Sequence, residues 1–167
     1  MQRRLYREVP RRQRKTRVQG SASARFRYRS LTIPARQRVR VKEIADAKLC
    51  LVVDDSRVVR KVARRILEDL GFEVAEAGDG AEALAWARTA MPDVVMLDWN
   101  MPVMNGIEFL RRLRQEPGGA EPRVIFCSVE NDLDRIREAL DEGACEYIMK
   151  PFDGDIVASK LMLAGAL

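Results

Sequence analysis

From Lys48 to Leu167 the chain alternates five times between a short apolar run and a longer amphipathic stretch, a pattern few folds accept. Leu49-Cys-Leu-Val-Val53, Asp93-Val-Val-Met-Leu-Asp98 and Arg123-Val-Ile-Phe-Cys-Ser128 are nearly continuous in apolar character. They are too short for buried helices and read as strands covered on both faces. Phe72-Glu-Val-Ala-Glu-Ala77 alternates, and Cys145-Glu-Tyr-Ile-Met149 is the fifth short run. Helical patterns fill the gaps. Ser56 caps a helix whose residues Val59, Val62, Ala63, Ile66, Leu67 and Leu70 keep a three-four rhythm up to Gly71. Asp79 caps a second helix with Ala83, Leu84 and Ala87, which Pro92 is expected to stop. A third carries Ile107, Phe109, Leu110 and Leu113 and ends before Glu116-Pro-Gly-Gly119. Asp132 opens a fourth with Leu133, Ile136 and Leu140, closed by Gly143, and Asp153 begins a fifth with Ile156, Val157, Leu161 and Leu163. Strands alternating with helices imply βαβ units, right-handed crossovers and a five-stranded parallel sheet in an α/β sandwich. Pattern alone leaves the strand order open.

The charge divides the chain more sharply than its net +5 suggests. Residues 1–47 hold 15 Lys or Arg against three acids (Glu8, Glu43, Asp46), a net of +12, whereas 48–167 hold the other 15 bases against 22 acids, a net of −7. The chain is therefore read as a basic extension, 1–46, and one folded domain, 47–167. The extension scatters its apolar residues among arginines and cannot bury enough of them to offset its ordering entropy, so disorder is expected there. It reads as a solvated tail or a start assigned too far upstream, with a nucleic-acid or membrane-surface arm as the functional alternative.

Other classes are excluded by what is missing. The chain has no histidine, which removes a Ser-His-Asp hydrolase and any histidine-borne phosphotransfer within it. Cys50, Cys127 and Cys145 are odd in number and widely spaced, and are expected to be buried small residues rather than a zinc or redox site. No apolar run approaches the roughly 18 residues a membrane span requires, and no signal peptide opens the chain, so a cytoplasmic protein is expected.

The informative residues follow the strands. Asp54 and Asp55 come after the first, Asp98 ends the third, Ser128 ends the fourth, and Lys150-Pro151 follows the fifth. The carboxyl edge of an open parallel sheet is where ligands bind, so these residues converge there. Taken singly, each has a plain structural reading, as a helix-start acid, a turn residue or a cap; their joint placement makes the case. Two carboxylates about 4 Å apart repel by roughly 1 kcal/mol in water and about 4 at an effective dielectric of 20. A hard divalent cation such as Mg²⁺, or Mn²⁺ in its place, removes that repulsion and attracts phosphate. Asp98 on the middle strand is placed as an in-line nucleophile forming an acyl phosphate, with Lys150 and the Ser128 hydroxyl reaching phosphoryl oxygens.

With Leu51-Val-Val-Asp-Asp-Ser56, Leu97-Asp-Trp-Asn-Met-Pro102, Asn105-Gly106, Ser128 and Tyr147-Ile-Met-Lys-Pro-Phe152 in view, the chain from 48 to about 165 resembles the response-regulator receiver domains, in particular the stand-alone chemotaxis CheY type. The resemblance implies the doubly wound, flavodoxin-like sheet order 2-1-3-4-5, an order of which CheY is itself a standard example. It implies Asp98 as phosphoacceptor, and Asp54, Asp55, Asp98 and the backbone carbonyl of Asn100 as metal ligands. Lys150 becomes the phosphate-binding lysine, with a cis Lys150–Pro151 peptide; Ser128 and Tyr147 become the switch pair; the Asn100 side chain and Glu130 tune phosphoryl lifetime. The implied partners are a histidine kinase or phosphotransfer protein and a downstream protein bound through the face of the fourth helix, fifth strand and fifth helix. Nucleic acid is not an expected partner, and the protein is expected to be a monomer or a weak phosphorylation-dependent dimer. Seventeen residues follow Lys150, enough for one helix, so no output domain is expected. Two positions depart from the family pattern: Asn105 where Asp is usual, with little effect expected, and Val129 where a small residue is more common, with slower reaction of small donors expected. The alternatives are an aspartyl-phosphate phosphohydrolase, which would want an acid where Asn100 stands, a flavodoxin-like nucleotide binder, and a DNA-binding regulator acting through residues 1–46.

Overall fold

The computed structural model describes residues 47–129 and 133–167. The expected disorder of 1–46, the helix start at Asp132 and the role given to Glu130 lie outside them. The elements run β1 (Leu49–Val53), α1 (Arg57–Asp69), β2 (Glu73–Ala77), α2 (Gly80–Ala87), β3 (Val94–Asp98), α3 (Gly106–Leu113), β4 (Arg123–Ser128), α4 (Leu133–Asp141), β5 (Glu146–Met149) and α5 (Gly154–Leu163). All four strand pairings are parallel and the order is β2-β1-β3-β4-β5, as expected.

Each central strand feeds two cores, because successive side chains point to opposite faces. Leu51, Val53, Val95, Leu97, Val124 and Phe126 face one side, packed with Ala83 and Leu84 of α2, Phe109, Leu110 and Leu113 of α3 and Ala139 of α4. Cys50, Val52, Val94, Met96, Ile125 and Cys127 face the other, packed with Ala63 and Leu67 of α1 and Val157 and Leu161 of α5. Burial on both faces explains why these strands lack in-out alternation. It also accounts for two of the cysteines: Cys50 and Cys127 are fully buried, and burial pushes the Cys50 thiol up to about 12. Cys145 is only half-buried.

The helix ends follow local chemistry. Ser56 Oγ accepts from the Val59 amide, Asp79 from Ala81 and Glu82, and Asp153 from Ile156. After α1, Gly71 at φ 89° lets its own amide reach the Glu68 carbonyl and the Phe72 amide reach Leu67, which satisfies the last-turn carbonyls. One expectation needs correction: α2 ends at Ala87, well before Pro92. Thr89 takes the Trp86 carbonyl with both its amide (2.9 Å) and its hydroxyl (2.7 Å), and the chain turns there. No helix among the described residues is long and apolar enough to cross a membrane.

Candidate functional site

Parallel strands in register bring their carboxyl ends to one edge. Val53 pairs with Leu97, so Asp54, the next residue after β1, lies beside Asp98, the last of β3. Ser128 ends β4 and pairs with Met149, the last residue of β5, and Lys150 follows directly. The sheet thus converts sequence separations of 52 and 96 residues into direct contacts: Lys150 Nζ donates to Asp98 Oδ1 at 2.7 Å and to Asp54 Oδ2 at 2.5 Å. Asp55 completes the acidic group, with one carboxylate oxygen from each of Asp54, Asp55 and Asp98 lying within 4.8 Å of the others. Asp54 and Asp98 are buried and Asp55 is exposed, so the cluster opens to solvent on one side. Three carboxylates with an open side suit a hard, partly hydrated divalent cation.

The electrostatics are unbalanced. Burial raises the Asp98 carboxyl above its ordinary range; Lys150 pulls it back, and the neighbouring Asp54 adds to the rise. Burial alone would lower the Lys150 ammonium, but its hydrogen bonds to Asp54 and Asp98 outweigh this and hold it raised. One ammonium therefore serves two buried carboxylates.

Every polar group of Asp54 has a partner. Its amide donates to the Ala77 carbonyl at 3.2 Å, and its carbonyl accepts from Arg60 Nη1 at 2.5 Å. Oδ1 accepts from the Ser56 amide at 2.8 Å, and Oδ2 accepts from Lys150. Arg60 in turn donates through Nε to Glu76 of β2 at 3.1 Å. The sequence does not single out Arg60 or Glu76, because a base on an amphipathic helix and an acid on an alternating strand look like solvated surface. The signal it offers is weak: two arginines, Arg60 and Arg64, lie one turn apart.

The loop after β3 approaches Asp98 closely. The Gly106 amide donates to the Trp99 carbonyl at 3.0 Å, and a Cβ on Gly106 would overlap the Asp98 carbonyl. Only glycine allows that approach. Asn105, the departure from the family pattern, is the N-cap of α3 and accepts from the Glu108 amide at 2.9 Å. Trp99 is buried next to Asp98, tilted on Phe126 at 5.1 Å, with the Arg135 guanidinium 5.6 Å from its ring centre. Val103 sits at φ 64°, rare for a β-branched residue, and is 84% exposed.

The remaining expected residues fall as follows. Ser128 is buried at the end of β4, and its carbonyl accepts from the Lys150 amide at 2.8 Å. Asn100 is exposed on the loop after β3. Tyr147 is half-buried on β5 opposite Phe126, packed against the core of α2, α3 and α4. The Lys150–Pro151 peptide is cis. Val129 is exposed and lines an apolar cleft beside Lys150 together with Val58, Val62 and Phe152.

Comparison with known proteins agrees with this geometry. The response regulator receiver domain family matches residues 50–161. The chain is 37% identical to the chemotaxis protein CheY of Pseudomonas aeruginosa over 112 residues, covering 66% of this chain and 90% of that protein. It is equally identical, over the same length, to CheY-3 of Vibrio cholerae, covering 66% of this chain and 86% of that one. Among solved structures it is similar to the chemotaxis response regulator CheY4 of Vibrio cholerae, with TM-score 0.67 and 34% identity over 71% of this chain and 98% of that one. It is also similar to a chain in the CheX–CheY–BeF3–Mg²⁺ complex of Borrelia burgdorferi, with TM-score 0.65 and 31% identity over 69% of this chain and 87% of that one.

Proposed function

The chain belongs to the response regulator receiver domain family and is a CheY-like, phospho-accepting regulator rather than a conventional enzyme; from that premise we propose that Asp98 is the carboxylate that takes the phosphoryl group. The observation that carries this reading is the Lys150 ammonium held between the buried carboxylates of Asp98 and Asp54.

A receiver works with a kinase, and the partner we assign is a histidine kinase or phosphotransfer protein. The carboxylates of Asp54, Asp55 and Asp98 and the carbonyl of Asn100 would hold a Mg²⁺ ion, or Mn²⁺ on the same hard donors, which would neutralise charge on the phosphoryl oxygens. The chain's own residues do the rest. An Asp98 carboxylate oxygen attacks phosphorus; the O–P bond forms as the P–N bond of the donor's phosphohistidine breaks, and that electron pair returns to the imidazole. Lys150 lets go of Asp54 and moves its ammonium onto a phosphoryl oxygen. The Ser128 hydroxyl donates to another.

The phosphoryl group carries about −1.5 to −2 charges in place of the carboxylate's −1, so a site already short of cations becomes more negative. Drawing Ser128 inward frees space for the half-buried Tyr147, and the face of α4, β5 and α5 shifts to a second packing that a downstream protein reads. Water later cleaves the acyl phosphate, with the Asn100 side chain and Glu130 setting its lifetime. Val129 at the mouth slows small donors relative to a protein donor.

Incubation with a phosphorylated kinase, followed by detection of acid-labile phosphate, tests the assignment. The parent protein labels and Asp98→Asn does not; full labelling of the variant would refute it. Mg²⁺ should change the fluorescence of Trp99, above a background from Trp86.

A further inference from the structure

Arg60 stands outside the acidic cluster yet holds one of its members by the backbone. Its guanidinium is forked: Nη1 donates to the Asp54 carbonyl at 2.5 Å and Nε to Glu76 Oε2 at 3.1 Å. The side chain is only 13% exposed, so these bonds compete weakly with water. The Asp54 carbonyl belongs to the peptide that joins Asp54 to Asp55. Fixing its direction fixes the rotation of that peptide, and hence where both carboxylates leave the backbone. The Asp54 amide is already anchored on Ala77. Without Arg60 the backbone of Asp54 would be held on its amide side only, next to the exposed Asp55.

We propose that Arg60 is a positioning residue for the metal site: its fork ties the Asp54–Asp55 peptide to β2 through Glu76 and so presets the two carboxylates for a divalent cation. The claim rests on the reading that these acids hold Mg²⁺. Charge alone predicts the opposite sign, because removing a nearby cation should strengthen Mg²⁺ binding. Geometry predicts weakening. Groups that orient metal ligands typically change affinity by about 10- to 100-fold when lost.

The test is Mg²⁺ titration of the full chain by Trp99 fluorescence in a Trp86→Phe background, with the thermal midpoint of each variant measured alongside. Arg60→Lys keeps the charge but loses the fork, and Arg60→Gln loses both. Arg64→Ala removes the other arginine on Glu76, whose hydrogen bonds go to Glu76 and Glu68 rather than to the acidic loop. The expected result is Mg²⁺ affinity reduced about tenfold in both Arg60 variants and changed less than about twofold in Arg64→Ala, even where the thermal midpoints fall alike. Arg60→Lys at parental affinity would overturn the proposal, as would tighter binding in Arg60→Gln, or an equal loss in Arg64→Ala. If an Arg60 variant does not fold, Glu76→Ala decides the matter, since it removes the acceptor of the fork while leaving Arg60 in place: weakened binding supports the proposal and unchanged binding overturns it. A parent with no Mg²⁺ response up to tens of millimolar would sink the metal reading itself, whereas a responsive parent with Arg60 variants of equal affinity sinks only this inference.

Discussion

Two charge triads flank the β1 end of the sheet, and their signs are mirror images. In one, Lys150 lies between Asp54 and Asp98; in the other, Glu76 lies between Arg60 and Arg64. Their contact distances overlap, between 2.5 and 3.1 Å. Glu76 and Asp98 nonetheless move in opposite directions. Hydrogen bonding from Arg64 holds Glu76 below the ordinary carboxylate range, with burial opposing it. Burial holds Asp98 above it, with Lys150 opposing. Exposure decides: the side chains of the first triad are 4–13% exposed, those of the second 13–34%. For Glu76, which water reaches and two arginines serve, pairing wins; for Asp98, which shares one ammonium with Asp54, desolvation wins, while Lys150 with two partners stays raised. The first triad is thus left in want of a further cation, and the second is satisfied as it stands.

Removing the central residue of each triad should break the symmetry most visibly. Lys150→Ala leaves two buried carboxylates facing each other, and breaking a buried pair this way typically destabilises by about 3–5 kcal/mol. In urea denaturation the variant should lose most of that stability without Mg²⁺ and recover it with saturating Mg²⁺, since the ion replaces the missing charge. Glu76→Gln leaves two arginines on a face that water reaches, so a loss of about 1 kcal/mol, which Mg²⁺ does not restore, is expected. Equal losses in the two variants would mean that burial does not separate the triads.

The pH dependence gives the two sites opposite slopes. A carboxyl whose folded pKa is raised binds its proton more tightly in the native state, so stability falls as pH rises from its ordinary 3.8 through the folded value. Ionised Asp98 therefore weakens the metal-free protein near neutrality. Glu76 behaves the other way: its contribution is complete above its ordinary 4.5 and is lost as pH falls through the lowered folded value. In Mg²⁺-free urea titrations from about pH 4.5 to 7, Asp98→Asn should be more stable than the parent at the upper end, with the difference shrinking toward the lower. An Asp98→Asn variant less stable than the parent at pH 7 would reverse the assigned sign.

The same contrast separates what hydropathy and spacing reveal from what they hide. Asp54, Asp98 and Lys150 are legible because each stands at a strand end, and βαβ topology sends strand ends to one edge. The cores are legible because continuous apolar runs such as Leu49–Val53 fit a strand buried on both faces. Arg60 and Glu76 are not: their pairing depends on the parallel neighbour of β1 and on helix rotation, and neither leaves a mark in hydropathy. The early end of α2 is hidden for a related reason. A proline announces itself, whereas the Thr89 bond to the Trp86 carbonyl competes locally with the helix and is visible only in three dimensions.

The smallest expected effect is the most discriminating for the second triad. Arg64 pairs with Glu76 and also with Glu68 one turn along α1, and its side chain is 34% exposed. Partly exposed pairs contribute roughly 0.2–1 kcal/mol, so Arg64→Ala should lower stability by about 0.5 kcal/mol, measured by urea denaturation in the pH plateau near neutrality. Raising the salt concentration should shrink that difference, because screening acts on pairs that water reaches and much less on buried ones. The loss in Lys150→Ala should resist the same salt. A salt-insensitive Arg64→Ala penalty of several kcal/mol would place both triads in the same dielectric setting, and the opposite pKa shifts of Glu76 and Asp98 would then need a cause other than exposure.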